Sequence, residues 1–171
     1  MVVRRAGPAD ASGIARVRRE SWSAAYAHVF TAEQLASISE EDDAARWRRF
    51  LTGAPARSAA FVAADGADVV GFSSLGPARP GDDPAVGELF TIYVLPERWG
   101  SGVGRAVMAS TLAQLRAEGF DEAVLWVLED NPRTRRFYEH AGWRADGGVK
   151  EEEWLGSTIR EVRYRIDLGR Q

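Results

Sequence analysis

Val94-Leu95-Pro96-Glu97-Arg98-Trp99-Gly100-Ser101-Gly102-Val103-Gly104-Arg105 sets three alternate glycines between a β-rich run, Glu88 to Val94, and a helical pattern, Gly102 to Glu118. Glycine reaches positive φ without steric cost and has no Cβ to hold a ligand away from the backbone. The first N–H groups of a helix lack intrahelical partners, and the macrodipole adds positive character there, so the turn suits an anion. Arg98 and Arg105 can add charge-assisted contacts. A strand-to-helix turn with packing duties alone uses the same glycines, so the pattern by itself leaves both readings open. Two nucleotide patterns fail on detail. A P-loop needs Gly-Lys-Ser/Thr, and the only lysine, Lys150, is remote. A dinucleotide fingerprint needs its last glycine three residues after the second, whereas Gly100, Gly102 and Gly104 are evenly spaced.

Downstream, Gly119 closes the helix, Glu122 to Leu128 reads as a strand, and Asn131 to Ala141 as a second helix. Asn131 suits the N-cap, Pro132 the first helical position and Gly142 the C-terminal cap. The order strand, helix, strand, helix requires a right-handed crossover and parallel pairing. Two last strands, Trp143 to Ala145 and Thr158 to Asp167, flank a polar loop. That loop holds Glu151-Glu152-Glu153, either a solvated charge run or an attractor for a cationic amine.

Upstream, Gly76 to Gly87 carries Pro77, Pro80, Gly81 and Pro84 and reads as a loop. Before it, Ser58 to Ala64 and Asp68 to Leu75 form a hairpin around Asp65-Gly66-Ala67-Asp68. The front of the chain is helical. Pro8-Ala9-Asp10 opens a pattern with Ile14, Val17, Trp22 and Tyr26 as buried positions. Thr31 to Gln34 has capping-box spacing, and Glu40 to Leu51 is amphipathic. The sum is one α/β (α+β) domain, residues 1–171. Its mixed central sheet has about six to seven strands flanked by about four helices.

Composition bounds the chemistry. The chain has 171 residues, 22 Lys+Arg against 25 Asp+Glu, two His and no Cys. Without cysteine there is no disulfide framework, thiolate metal site or cysteine nucleophile. A net charge of −3 argues against nucleic acid as partner. His28 and His140 lack metal-ligand spacing, so no metal is expected. Met1-Val2-Val3-Arg4-Arg5 lacks a signal-peptide core and no apolar run reaches membrane-spanning length, so a cytoplasmic location away from membranes is expected.

The block Tyr93-Val94-x-Pro96-x-x-x-Gly100-x-Gly102-x-Gly104, with Asn131 to Trp143 downstream, resembles the GNAT superfamily of N-acetyltransferases. The likeness is strongest from Glu88 to Trp143. Glu20-Ser21-Trp22 to Tyr26, Leu35 and Trp47 resemble the front helices of a bacterial branch, and Glu161-Val162-Arg163-Tyr164 its last strand. The resemblance implies a splayed βαβα site for acetyl-CoA as co-substrate. Its pyrophosphate would meet the turn of Trp99, Gly100, Ser101, Gly102, Val103, Gly104 and Arg105. Ile92, Tyr93 and Val94 would pair with the pantetheine amides, one N–H facing the thioester oxygen, and Asn131 would contact the same arm. Where the family usually has Gln or Arg, three residues before Gly102, this chain has Trp99.

The resemblance also implies that Tyr138 is the general acid for the departing CoA thiolate. A phenol of pKa roughly 10 can protonate a thiol of pKa roughly 8.5 only as the C–S bond breaks. Glu88, six residues before Val94, matches a glutamate that acts as general base in one branch. Period-two alternation puts Glu88, Phe90, Ile92 and Val94 on one face. Arg133, Arg135 and Arg136 are candidate phosphate contacts. Tyr26, His28 and Phe30 lie where the family covers its acceptor pocket. The expected activity is direct acetyl transfer to a primary amine, from a small molecule or a peptide, by a monomer or homodimer. A non-catalytic acyl-CoA-binding or regulatory module is the alternative; another nucleotide-binding α/β protein is a more distant one.

Overall fold

A computed structural model of the chain, described for residues 1–79 and 83–169, contains twelve helices and strands. In chain order they are β1 (Val2–Arg5), α1 (Ala11–Ala25), α2 (Ala32–Ala36), α3 (Glu40–Thr52), β2 (Ala59–Asp65), β3 (Asp68–Pro77) and β4 (Val86–Val94), then α4 (Val103–Ala117), β5 (Glu122–Leu128), α5 (Pro132–His140), β6 (Arg144–Trp154) and β7 (Ser157–Asp167). The strands form a single sheet in the order β1-β2-β3-β4-β5-β7-β6. The α/β expectation holds, with seven strands and five helices. No helix among the described residues is long and apolar enough to cross a membrane.

Local chemistry explains the element ends. Thr31 accepts from Gln34 N at 3.2 Å while the Gln34 side chain accepts from Thr31 N at 2.8 Å, the capping box read from the sequence. Before α1, Arg4 donates to both carboxylate oxygens of Asp10, at 2.8 and 2.7 Å. Asp10 also accepts from Gly7 N at 2.8 Å, tying β1 to the entry of α1.

Adjacent residues on β3 show how the layers are arranged. Phe72 meets the Trp47 ring of α3 at 5.2 Å, whereas the Ser73 hydroxyl lies 2.7 Å from the Thr111 hydroxyl of α4. Successive strand residues point to opposite faces, so α3 lies on one side of the sheet and α4 on the other. On the α4 side, Leu75, Leu89, Met108, Leu115, Leu125, Trp143 and Tyr164 are packed into one core.

Three differences from the sequence reading matter. β1 is a strand nothing in the sequence announced. Its residues Val2 to Arg5 pair with Phe61 to Ala64 of β2. The expected polar loop after Ala145 is instead most of β6, which pairs with β7 and turns at Leu155 and Gly156, both at positive φ. The expected loop from Gly76 to Gly87 is shorter, because β3 runs to Pro77 and β4 starts at Val86. Pro80 and Gly81 of that loop lie outside the described residues.

β4 and β5 form the parallel pair, and their ladder is short: Val86↔Glu122, Gly87↔Ala123 and Glu88↔Val124. Beyond Glu88 and Val124 the strands diverge into a fork. β4 also carries a bulge against β3, where Leu75 pairs with Leu89 but Ser74 pairs with Thr91. The extra residue corrects the simple alternation read along β4, since a bulge switches the faces beyond it. Glu88 therefore shares its face with Thr91 and Tyr93, while Ile92 and Val94 point to the α4 side.

Candidate active site

The fork opens a cleft of about 830 Å³ that is lined from both faces of the sheet. On the α4 side it is walled by Ile92, Val94, Gly100, Gly102, Gly104, Arg105, Asn131 and Tyr138. Phe90, Thr91, Tyr93, Trp126, Trp154 and Glu161 line it on the α1 side. Register fixes these faces: Leu128 pairs with Glu161, Trp126 with Arg163, and Glu88 with Val124. The cleft thus passes through the sheet, between strands that no longer pair.

The glycine turn forms one end. Gly100 and Gly102 sit at φ 77° and 90°, with nothing within 4 Å of where a Cβ would be. Gly102 is the N-cap of α4 and provides no side-chain cap, so the first-turn N–H groups are available to an anion. Gly104 is there for a different reason. A Cβ on it would stand 3.3 Å from the Phe137 ring, so its absence lets α4 and α5 approach. Val103 is buried, and Ser101 turns its hydroxyl back to the Arg98 carbonyl at 2.6 Å; the lining omits both.

Trp99, at the position where Gln or Arg was expected, lines the cleft. Its indole N–H donates to the Val94 carbonyl at 2.8 Å, and the Arg133 guanidinium lies 3.7 Å over its ring. Ser21 also donates to the Val94 carbonyl, at 2.9 Å. Arg98 pairs with Asp65 at 2.6 Å. Arg133 and Arg136 line the cleft, whereas Arg135 turns away to the Tyr164 hydroxyl at 3.1 Å.

Asn131 accepts from Thr134 N at 3.1 Å, the N-cap bond expected of it. Tyr138 lies two turns along α5 and is packed between Trp143 and Phe137, with ring centroids 6.4 and 5.5 Å away. Burial pushes its phenol well above the ordinary value, and the neighbouring Tyr93 and Glu161 raise it further. No hydrogen bond among the described residues involves its hydroxyl.

On the far side, Tyr26 and His28 line the cleft and Phe30 does not. Phe30 is buried against Trp22 and Leu35. The His28 ring bonds to the Asp130 carbonyl at 3.0 Å. Glu88 is 2% exposed at the apex of the fork; it is absent from the lining and lies 3.5 Å from Arg79.

Sequence reasoning missed Phe90, Trp126, Trp154 and the role of the acidic run. Glu152 is in β6, where Lys150 donates to it at 2.7 Å, Arg79 at 3.2 Å and the Trp154 indole at 3.1 Å. The Lys150 bond holds the Glu152 carboxyl below the usual range. Lys150 also meets Glu161 at 2.9 Å, so charges chain from Glu88 through Arg79, Glu152 and Lys150 to Glu161. Strand alternation along β5 was the available signal for Trp126. None existed for Trp154, because the glycines and glutamates before it carry no strand signal and β6 forms only through β7.

The "Acetyltransferase (GNAT) family" model matches residues 16–143. The uncharacterized N-acetyltransferase YuaI of Bacillus subtilis strain 168 is 36% identical over 134 residues, 77% of this chain and 74% of that protein. The mycothiol acetyltransferase of Kocuria rhizophila is 42% identical over 69 residues, 39% of this chain but 23% of that protein. In fold, the PaiA N-acetyltransferase of Thermoplasma acidophilum, solved with coenzyme A, superimposes with a TM-score of 0.75 at 20% identity, over 97% of this chain and 98% of that one. A GCN5-related N-acetyltransferase from Kribbella flavida gives 0.74 at 24% identity, over 97% of this chain and 96% of its own.

Proposed function

The chain belongs to the GNAT acetyltransferase family, and from that premise we propose that it moves an acetyl group from acetyl-CoA to a primary amine by direct transfer. The observation that carries this reading is the fork itself. An uncapped helix start and two unhindered glycines at one end face a buried tyrosine across a cleft that crosses the sheet.

Acetyl-CoA supplies the activated carbonyl. The chain's own groups bind and orient. First-turn N–H groups of α4 hold the pyrophosphate, with Arg105 and Arg133 beside them. Past Glu88, β4 presents backbone that β5 no longer pairs, and this edge suits an extended amide-bearing arm. The Val94 carbonyl is already occupied by Trp99 and Ser21, and the Tyr93 backbone faces Phe72 of β3, which leaves the Ile92 backbone and the Val94 N–H for that arm. An N–H there, facing the carbonyl oxygen, acts as a one-donor oxyanion site.

Tyr138 keeps its proton at Oη because burial disfavours the phenolate, and it gives that proton to the leaving thiolate. Glu88 sits at the apex on the acceptor's face but outside the lining. In this reading it receives the amine proton through a water. Holding amine and carbonyl together supplies much of the rate, and no covalent enzyme intermediate is needed.

The test is calorimetric titration with CoA, followed by thiol release from acetyl-CoA over an amine library. CoA binding and amine-dependent release are expected. Absence of CoA binding overturns the proposal, and binding without release on any amine favours a regulatory module.

A further inference from the structure

We propose that Glu161 anchors the incoming acceptor as an ammonium, which gives one proton through a water to Glu88 before the neutral nitrogen attacks, and that the acceptor is a cationic amine on an apolar or aromatic stem without a carboxylate beside the nitrogen. The inference rests on the acetyltransferase reading and deepens it. Glu161 projects from β7 into the cleft, on the face opposite the glycine turn, and is only 7% exposed. Lys150 pairs with its Oε2 at 2.9 Å, and no hydrogen bond among the described residues involves either of its oxygens, Oε2 being buried. A carboxylate this far removed from water favours a cation that can reach it.

The walls around it select the rest of the molecule. Tyr26, Tyr93 and Trp154 line the same end and pack together beside Leu128, so a stem leaving the ammonium meets ring faces and edges. Trp154 is held by stacking on Trp22, centroids 4.9 Å apart, and by its indole bond to Glu152. Aromatic walls beside a carboxylate suit a cation through both charge and ring quadrupole.

The basic side chains argue against an amino acid. Among the described residues Arg79 faces Glu88 and Glu152, Lys150 faces Glu152 and Glu161, and Arg163 faces Asp146 at 2.8 Å. A carboxylate on the acceptor would therefore meet cations that already have partners, and Glu161 itself would repel it.

The probes are 2-phenylethylamine and phenylalanine, which differ by one carboxylate. Each is titrated calorimetrically into protein saturated with CoA, and each is then assayed by thiol release. Wild type should bind 2-phenylethylamine at least about tenfold more tightly than phenylalanine. Glu161→Gln should raise the Kd and KM for 2-phenylethylamine about 10- to 100-fold, as expected for a lost charge-assisted bond. Its CoA affinity should stay the same and its kcat should change much less. Lys150 retains Glu152 in this variant, and the comparison of the two probes on wild type needs no variant. Equal affinity for the probes, no binding of 2-phenylethylamine, or an unchanged KM in Glu161→Gln overturns the inference. If CoA itself does not bind, the acetyltransferase reading falls instead.

Discussion

The guanidinium of Arg133, at the start of α5, lies 3.7 Å over the ring of Trp99, in the turn before α4. This contact closes the cleft's outer rim between the two helices. It gives a role to the aromatic that replaces the polar residue expected there. The Trp99 indole N–H is also fixed on the Val94 carbonyl, so the ring has little freedom to swing away. A cation–π contact of this kind contributes about 0.5–2 kcal/mol, so Trp99→Ala should weaken CoA binding roughly 3- to 30-fold by calorimetry. Arg133→Ala should do the same, and the double variant should lose less than the product of the two. Independent, multiplicative losses would show that the pair does not act together.

Tyr138 should remain protonated well beyond neutral pH. Its phenol is raised because burial disfavours the charged form, so the acid is lost only as pH climbs past the raised value. With saturating substrates, kcat should therefore show no alkaline decline attributable to this group below about pH 10, the ordinary phenol value. A decline centred near pH 8 that disappears in Tyr138→Phe would contradict this.

At Gly102 the backbone sits at φ 90°, so any side chain is strained even though the space beyond is open. Gly102→Val should lower the melting temperature through roughly 1–2 kcal/mol of strain. Measured well below that temperature, its CoA Kd should rise about tenfold or more, the value of a lost charge-assisted N–H contact. Unchanged affinity in a folded variant would remove the turn from the site.

Asp10 makes a pH-dependent contribution to stability. Its hydrogen bonds from Arg4 hold its carboxyl below the ordinary range. The folded pKa is depressed, so the stabilisation is present above the unfolded value, about 3.9, and is lost as pH falls through the folded value. Asp10→Asn should cost about 1–2 kcal/mol at pH 7, discounted because Arg4 is half exposed, and the gap to wild type should shrink by pH 2. Urea melts at both pH values read this directly; an equal gap at each would exclude the linkage.

The parts legible in the sequence were those with local signals. The glycines around α4, the Asn131 cap and the Thr31–Gln34 box act within a few residues, and each sits where its spacing implied. β1 was not legible, because four residues containing two arginines become a strand only through β2. Nor was β6. Gly147, Gly148 and three glutamates hide an edge strand whose ladder comes entirely from β7. The β4 bulge exchanged the faces of Thr91 and Tyr93 with those of Ile92 and Val94, which no periodicity could reveal. The end of the cleft beside Glu161 was hidden for the same reason, since Glu161, Trp154 and Tyr93 converge only through two non-local strand pairings, one hairpin and one bulge.

Tyr138→Phe, followed by acetyl-CoA titration and by thiol release with a reactive amine, separates acid catalysis by Tyr138 from cofactor binding. The acetyl-CoA Kd should stay within about twofold of wild type, because the ring and its packing remain. The kcat should fall by about 10²–10⁴-fold, the usual value of a positioned acid. A kcat equal to wild type at unchanged affinity would rule out the acid role of Tyr138.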